Sequence, residues 1–94
     1  MRNIQFAWDS DKNSSNKRKH GVFFEEAQTV FYDDYAQLIA DPDHSEEEDH
    51  FIILGRSIRL RILVVCHCYR EDDEIIRIIS ARRANKSEQR FYKG

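Results

Sequence analysis

Long apolar runs are missing from this chain of 94 residues. No stretch approaches the roughly 20 apolar residues that carry a helix across a bilayer, and no apolar segment at the start resembles a secretion signal. A cytoplasmic protein without a membrane partner is therefore expected. Cysteine is scarce: Cys66 and Cys68 are the only two. Two residues apart on a strand, they point the same way, a poor geometry for a disulfide, so reduced thiols are expected. Repeats, linkers and low-complexity tracts are also absent. With this length, that leaves a single domain over residues 1–94, with one modest core. Positive charge is missing from the middle of the chain, where Asp33 to Asp49 holds eight carboxylates and no Lys or Arg.

What is present can fold. Apolar residues make up 40% and aromatics 12%, which decides against a disordered chain. The net charge of −2 hides a segregation. Arg77 to Gly94 has six basic residues against one acidic, a local charge of about +5. The overall charge thus does not argue against an anionic ligand.

Taken in order, Arg2 to Trp8 alternates weakly, with Ile4, Phe6 and Trp8 on one side, as a short strand would. Asp9 is an N-cap candidate with Asp11 in the first turn, and Gly21 suits the left-handed residue that closes a helix. Ser10 to His20 between them contains no apolar residue, so the expected helix is polar, with one basic face and His20 in its last turn. Phe23, Phe24, Ala27, Val30 and Phe31 fall on one stripe of a second, amphipathic helix ended by Asp33 and Asp34. Ala36 to Ala40 reads as a strand. Asp41, Pro42, Asp43 and His44 with Glu46 to Asp49 read as an exposed acidic loop, whose spacing fits no dense metal-ligand loop.

The two clearest strands are Phe51 to Ser57 and Arg61 to Tyr69. In the first, Ile52, Leu54 and Arg56 share a face. In the second, apolar residues line both faces, the mark of a central strand. His67 and Tyr69 then face away from Cys66 and Cys68, so Cys-His-Cys is not a zinc-binding string. Arg70 to Asp73 is a charged turn. Ile75 to Ile79, β-branched around Arg77, forms a returning antiparallel strand. Arg82 and Arg83 leave its end on opposite sides of the sheet. Asn85 with Glu88 opens a short last helix through a capping box. Guanidinium groups at a strand exit suit phosphate, because they are planar, charged and forked.

The elements Trp8-Asp9, Lys19-His20-Gly21-Val22, Phe24-Glu25-Glu26-Ala27, Asp41-Pro42 with His44, Leu54-Gly55-Arg56-Ser57 and Ile79-Ser80-Ala81-Arg82-Arg83, in that order, resemble the BrnT family of bacterial ribonuclease toxins. The likeness runs from about Phe6 to Tyr92. It implies an α+β, RelE-like fold: two N-terminal helices and a short C-terminal helix on a small twisted antiparallel sheet. It also implies metal-independent cleavage of RNA with no cofactor, and neutralisation by a BrnA antitoxin in a hetero-oligomer. That antitoxin carries a DNA-binding domain, so operator DNA is met only through it. Two departures stand out. Phe23 replaces the Ser or Thr usual before Phe-Glu-Glu-Ala, removing a helix cap worth about 1 kcal/mol. The turn Ser57 to Arg61 lacks the usual glycine and sets Ile58 and Leu60 where polar residues are common.

Cleavage by the 2′-hydroxyl requires stabilised phosphorane charge and a group that moves protons near neutrality. Arg56, Arg82 and Arg83 are candidates for the first task and His20 for the second, with His67 or Tyr69 as substitutes or substrate contacts. Lys12 and Lys19 on the polar helix are candidates for holding RNA, and Trp8 for stacking on a base. Two other readings remain: a non-catalytic module that binds nucleic acid or an acidic partner, and a metal-binding domain built on His44, His50, Cys66 and Cys68.

Overall fold

The computed structural model describes residues 4–40, 50–71 and 74–94. Strands are β1 (Gln5–Ala7), β2 (Gln37–Ala40), β3 (Phe51–Arg56), β4 (Ile62–Arg70) and β5 (Ile75–Arg83); helices are α1 (Ser10–His20), α2 (Phe24–Ala27) and α3 (Lys86–Phe91). The strands form one sheet in the order β1-β5-β4-β3-β2. Four strands run antiparallel, as expected, but β1 joins the edge of β5 in parallel, with Phe6 opposite Ile76. The α+β sheet is therefore mixed rather than purely antiparallel. Among the described residues no helix is long and apolar enough to cross a membrane. The acidic loop around Asp41, Asp43 and His44 lies outside the described residues.

The termini of α1 match their chemistry. The Asp9 carboxylate accepts from the Asp11 and Lys12 amides at 2.8 and 3.0 Å, and Gly21 closes the helix at φ 72°. Having no apolar face, α1 docks through asparagines instead. Asn16 is buried, and its amide nitrogen donates to the Val22 and Ala81 carbonyls, both at 2.8 Å. Its oxygen accepts from the Ala81 N–H at 3.1 Å. The side chain thus stands in for a neighbouring strand on the edge of β5 that β1 leaves open.

The second helix departs from expectation. Its α-helical part is a single turn, continued by a 3₁₀ segment over Gln28–Tyr32. Thr29, Val30 and Phe31 are poor helix formers, and the tighter turn still buries Val30. Phe23, expected on the core stripe, is the extended N-cap and is exposed, with the Lys17 ammonium 4.9 Å from its ring centre. The cap that Phe23 cannot supply comes from α1. Asn13 Oδ1 accepts from the Phe24 N–H at 2.7 Å while its Nδ2 donates to Glu25 at 2.8 Å.

The main core lies between the helices and one sheet face: Val22, Phe24, Ala27 and Val30 against Ile53, Leu63, Val65, Ile78 and Ala81. A smaller cluster on the opposite face packs Leu54, Val64 and Ala84 under Tyr92. Gly55 lets the 3₁₀ segment approach, since a Cβ there would stand 2.8 Å from Val30 Cγ1. In β5 the register slips. Cys66 pairs with Ser80 but His67 with Ile78, leaving Ile79 as the extra residue of a bulge. Parity changes there, so Ile76 and Ile78 share the helix face with Ala81, while Ser80 and Arg82 look to the other.

Candidate functional site

Helical spacing puts Lys12, Ser15, Asn16 and Lys19 on one stripe of α1, with His20 beside its end. This stripe faces Ile79 and Ser80 across a cleft of about 190 Å³. Asn16 fixes the distance between helix and strand by its bonds to Ala81, one residue beyond Ser80. Lys12, Lys19 and His20 are all exposed. Arg82 is the next residue after Ser80 on the same sheet face. Lys12, Lys19, His20 and Ser80 therefore line a single groove, and these residue types can hold a phosphate and exchange a proton with it.

A second cleft, of about 390 Å³, lies at the end of β3 and is lined by Thr29, Tyr32, Asp33, Arg56, Ser57 and Ile58. The Asp33 carboxylate is its hub. It accepts from the Arg56 N–H at 2.8 Å, the Tyr92 hydroxyl at 2.6 Å and the Tyr35 N–H at 3.1 Å. Burial alone would raise the Asp33 pKa, but these bonds and the Arg56 charge outweigh it and hold it below the ordinary value. Burial and the adjacent Asp33 push the Tyr92 phenol the other way, upward. The exposed Arg56 guanidinium stands 5.3 Å from the centre of the Tyr92 ring.

Beneath this cleft, Glu26 binds Arg61 through both carboxylate oxygens and takes the Ser57 hydroxyl at 2.6 Å. Arg61 also donates to the Gly21 carbonyl at 3.2 Å. This network ties the end of α1, the α2 turn and the β3–β4 hairpin together. Burial would raise the Glu26 pKa, yet the Arg61 and Ser57 hydrogen bonds leave it lowered.

Arg82 spans Glu88 with both terminal nitrogens at 2.7 Å, and Glu88 also closes the Asn85 capping box. The Arg82 hydrogen bond is the largest influence holding Glu88 below its usual pKa. Arg83 is exposed, across from Leu63 on the opposite sheet face to Arg82. Arg56 and Arg83 thus lie at the same end of the sheet. Along β4, His67 lies three to five residues (~10–17 Å) and Tyr69 five to seven (~17–23 Å) from the positions paired with or opposite the arginines, and both face the helix side, away from Arg82.

His67 is fully buried. Its Nδ1 lies 3.2 Å from the Val65 carbonyl and its Nε2 3.3 Å from the Tyr69 hydroxyl, and Phe31 meets the ring edge-on. Burial lowers its pKa, opposed only in part by the Val65 carbonyl. Trp8 is half-buried, edge-on to Phe24 at 6.1 Å. Cys66 and Cys68 are thiols, not a disulfide. Among the described residues no three His, Cys, Asp or Glu side chains converge.

Asn13, Asn16, Glu26, Asp33, Ser57, Arg61 and Tyr92 organise the clefts, and none follows from periodicity. The one available signal was negative: a helix with no apolar face must be attached by something other than hydrophobic burial.

Comparison with known proteins agrees with this architecture. The chain is similar in structure to the Brucella abortus ribonuclease toxin BrnT, whose crystal structure was solved at 1.1 Å. The TM-score is 0.69 at 22% identity, over 89% of this chain and 100% of that one. No curated protein matches the sequence. The family described as "Ribonuclease toxin, BrnT, of type II toxin-antitoxin system" matches residues 8–88. The chain therefore belongs to the BrnT family of type II ribonuclease toxins.

Proposed function

We propose that this BrnT-family toxin is a cytoplasmic endoribonuclease that cuts RNA by attack of the 2′-hydroxyl on the adjacent phosphate without a metal ion. The observation that carries this reading is the α1 cleft, where Lys12, Lys19 and His20 meet Ser80, with Arg82 next along β5. Lys12 and Lys19 hold the phosphate backbone there, and His20 carries the proton from the 2′-oxygen or to the 5′-oxygen. Arg82 and Arg83 add charge-assisted donors from the end of β5, and Arg56 holds a more distant phosphate beside Tyr92. Arg82 must release Glu88 to do so. Trp8 contributes a half-exposed ring at the start of α1 for a base. His67 and Tyr69 act from the interior, by holding β4 in shape.

Neutralisation by an antitoxin with a DNA-binding domain, operator binding through that partner alone, and kinship with RelE-type nucleases complete the proposal. The test separates an enzyme from a binding module. Substoichiometric protein should degrade single-stranded RNA in EDTA and leave 2′,3′-cyclic or 3′-phosphate ends. RNA shifted but intact would establish the binding module instead, and activity that needs magnesium would overturn the mechanism.

A further inference from the structure

The turn between β3 and β4 holds two aliphatic side chains in water. Ile58 is 76% and Leu60 77% exposed, the highest values among the exposed large hydrophobics of the described residues. Leu60 does this at φ 66°, a conformation glycine adopts freely and other residues only at a cost. The turn is nonetheless firmly held. The Leu60 N–H donates to the Ser57 carbonyl at 2.9 Å and the Ser57 N–H to the Arg61 carbonyl at 2.8 Å. The Ile58 N–H donates to Thr29 Oγ1 at 2.9 Å, and Ser57 Oγ, fixed on Glu26, accepts from the Arg59 N–H at 3.2 Å. A rigid turn that keeps a strained leucine in solvent gains nothing for the fold from that side chain. The surroundings are basic and aromatic. Arg56 and Arg59 are exposed, and Tyr32, 63% exposed, shares the 390 Å³ cleft with Ile58.

We infer that the Ser57–Arg61 turn and the cleft beside it form a preformed docking surface for a protein segment that presents apolar side chains next to carboxylates. Isoleucine and leucine tips neither stack on bases nor pair with phosphate, so RNA held at Arg56 does not account for the two exposed side chains of the turn. Concavity beside the tip and the Asp33 carboxylate within it favour a peptide over a lipid surface. A preorganised turn gains affinity because little ordering remains to be done on binding. A segment seated there would cover Arg56. The inference rests on the toxin–antitoxin reading for its occupant, the protein that neutralises this chain.

The test is calorimetric titration of the purified chain with the product of the adjacent reading frame. Leu60→Gly should weaken binding about tenfold or more, equivalent to ~1.4 kcal/mol, and leave the thermal midpoint and RNA cleavage unchanged or the midpoint raised. A merely structural leucine would move stability and affinity together. Ile58→Ser should weaken binding similarly, and Arg59→Glu should weaken it while reducing its salt dependence. Affinity within threefold of the unaltered chain for both Leu60→Gly and Ile58→Ser overturns the docking surface and leaves the toxin–antitoxin reading standing. No complex with the unaltered chain overturns both. Sedimentation with anionic vesicles, or self-association abolished by Leu60→Gly, would overturn it in favour of a membrane or a second copy.

Discussion

Asn16 makes three hydrogen bonds from a buried side chain, and α1 has no apolar residue of its own to replace them. Asn16→Ala leaves the Ala81 N–H and two carbonyls unsatisfied. A loss of about 2–3 kcal/mol in unfolding free energy is expected, at the upper range for a single hydrogen-bonding side chain. RNA cleavage should fall as well, because the groove loses its spacing. Urea denaturation checks the first effect, and a change under 0.5 kcal/mol would show that α1 is held by something else. At this scale the sequence was only partly legible. Asp9, Gly21, Asn85 and Glu88 cap their helices as local chemistry indicates. Asn13 and Asn16 look like poor helix formers and nothing more, because their partners lie 11 and 65 residues away.

Among the elements, α3 shows how a charge can be held in reserve. Its capping box and the two-pronged Arg82–Glu88 pair share one carboxylate. Glu88→Gln keeps a side chain able to close the box but releases the arginine fork. RNA affinity should then rise about two- to fivefold, because a partly exposed pair worth ~0.2–1 kcal/mol no longer competes with phosphate. Filter binding measures this, and unchanged or weaker binding would confine Arg82 to holding α3. Periodicity located β3, β4 and β5 well, since their apolar patterns are strong. It missed the bulge at Ile79, the parallel seat of β1 and the 3₁₀ continuation of α2. Each is a tertiary accommodation with no local signature.

The whole molecule should lose stability on acidification in two stages. Burial lowers the His67 pKa below its ordinary 6.5. The unfolded chain therefore binds a proton before the folded one does, and stability begins to fall as pH drops below about 6.5. The slope is at most ~1.4 kcal/mol per pH unit for that group. Glu26, Asp33 and Glu88 are held below their ordinary values of 4.5, 3.8 and 4.5. Their contributions are present above those values and are lost as pH falls through the folded ones. Denaturation curves at pH 7.5, 5.5, 4.0 and about 2.5 should show both stages, the second below pH 4.5, and His67→Leu should flatten the first. A flat profile from pH 7.5 to 5.5 in the unaltered chain would contradict the account.

The family and the arginine-rich strand end were readable from the sequence. The joining of Lys12, Lys19 and His20 to Ser80 in one groove depends on how α1 docks, and required the structure. The central claim, that this groove is where RNA is cut, is tested most directly by the single-turnover cleavage rate of His20→Gln in EDTA. His20 is exposed, so the variant should fold with an unchanged thermal midpoint. Its rate should drop about 100- to 10,000-fold, the range for losing a general acid or base. A rate within threefold of the unaltered chain would contradict the claim.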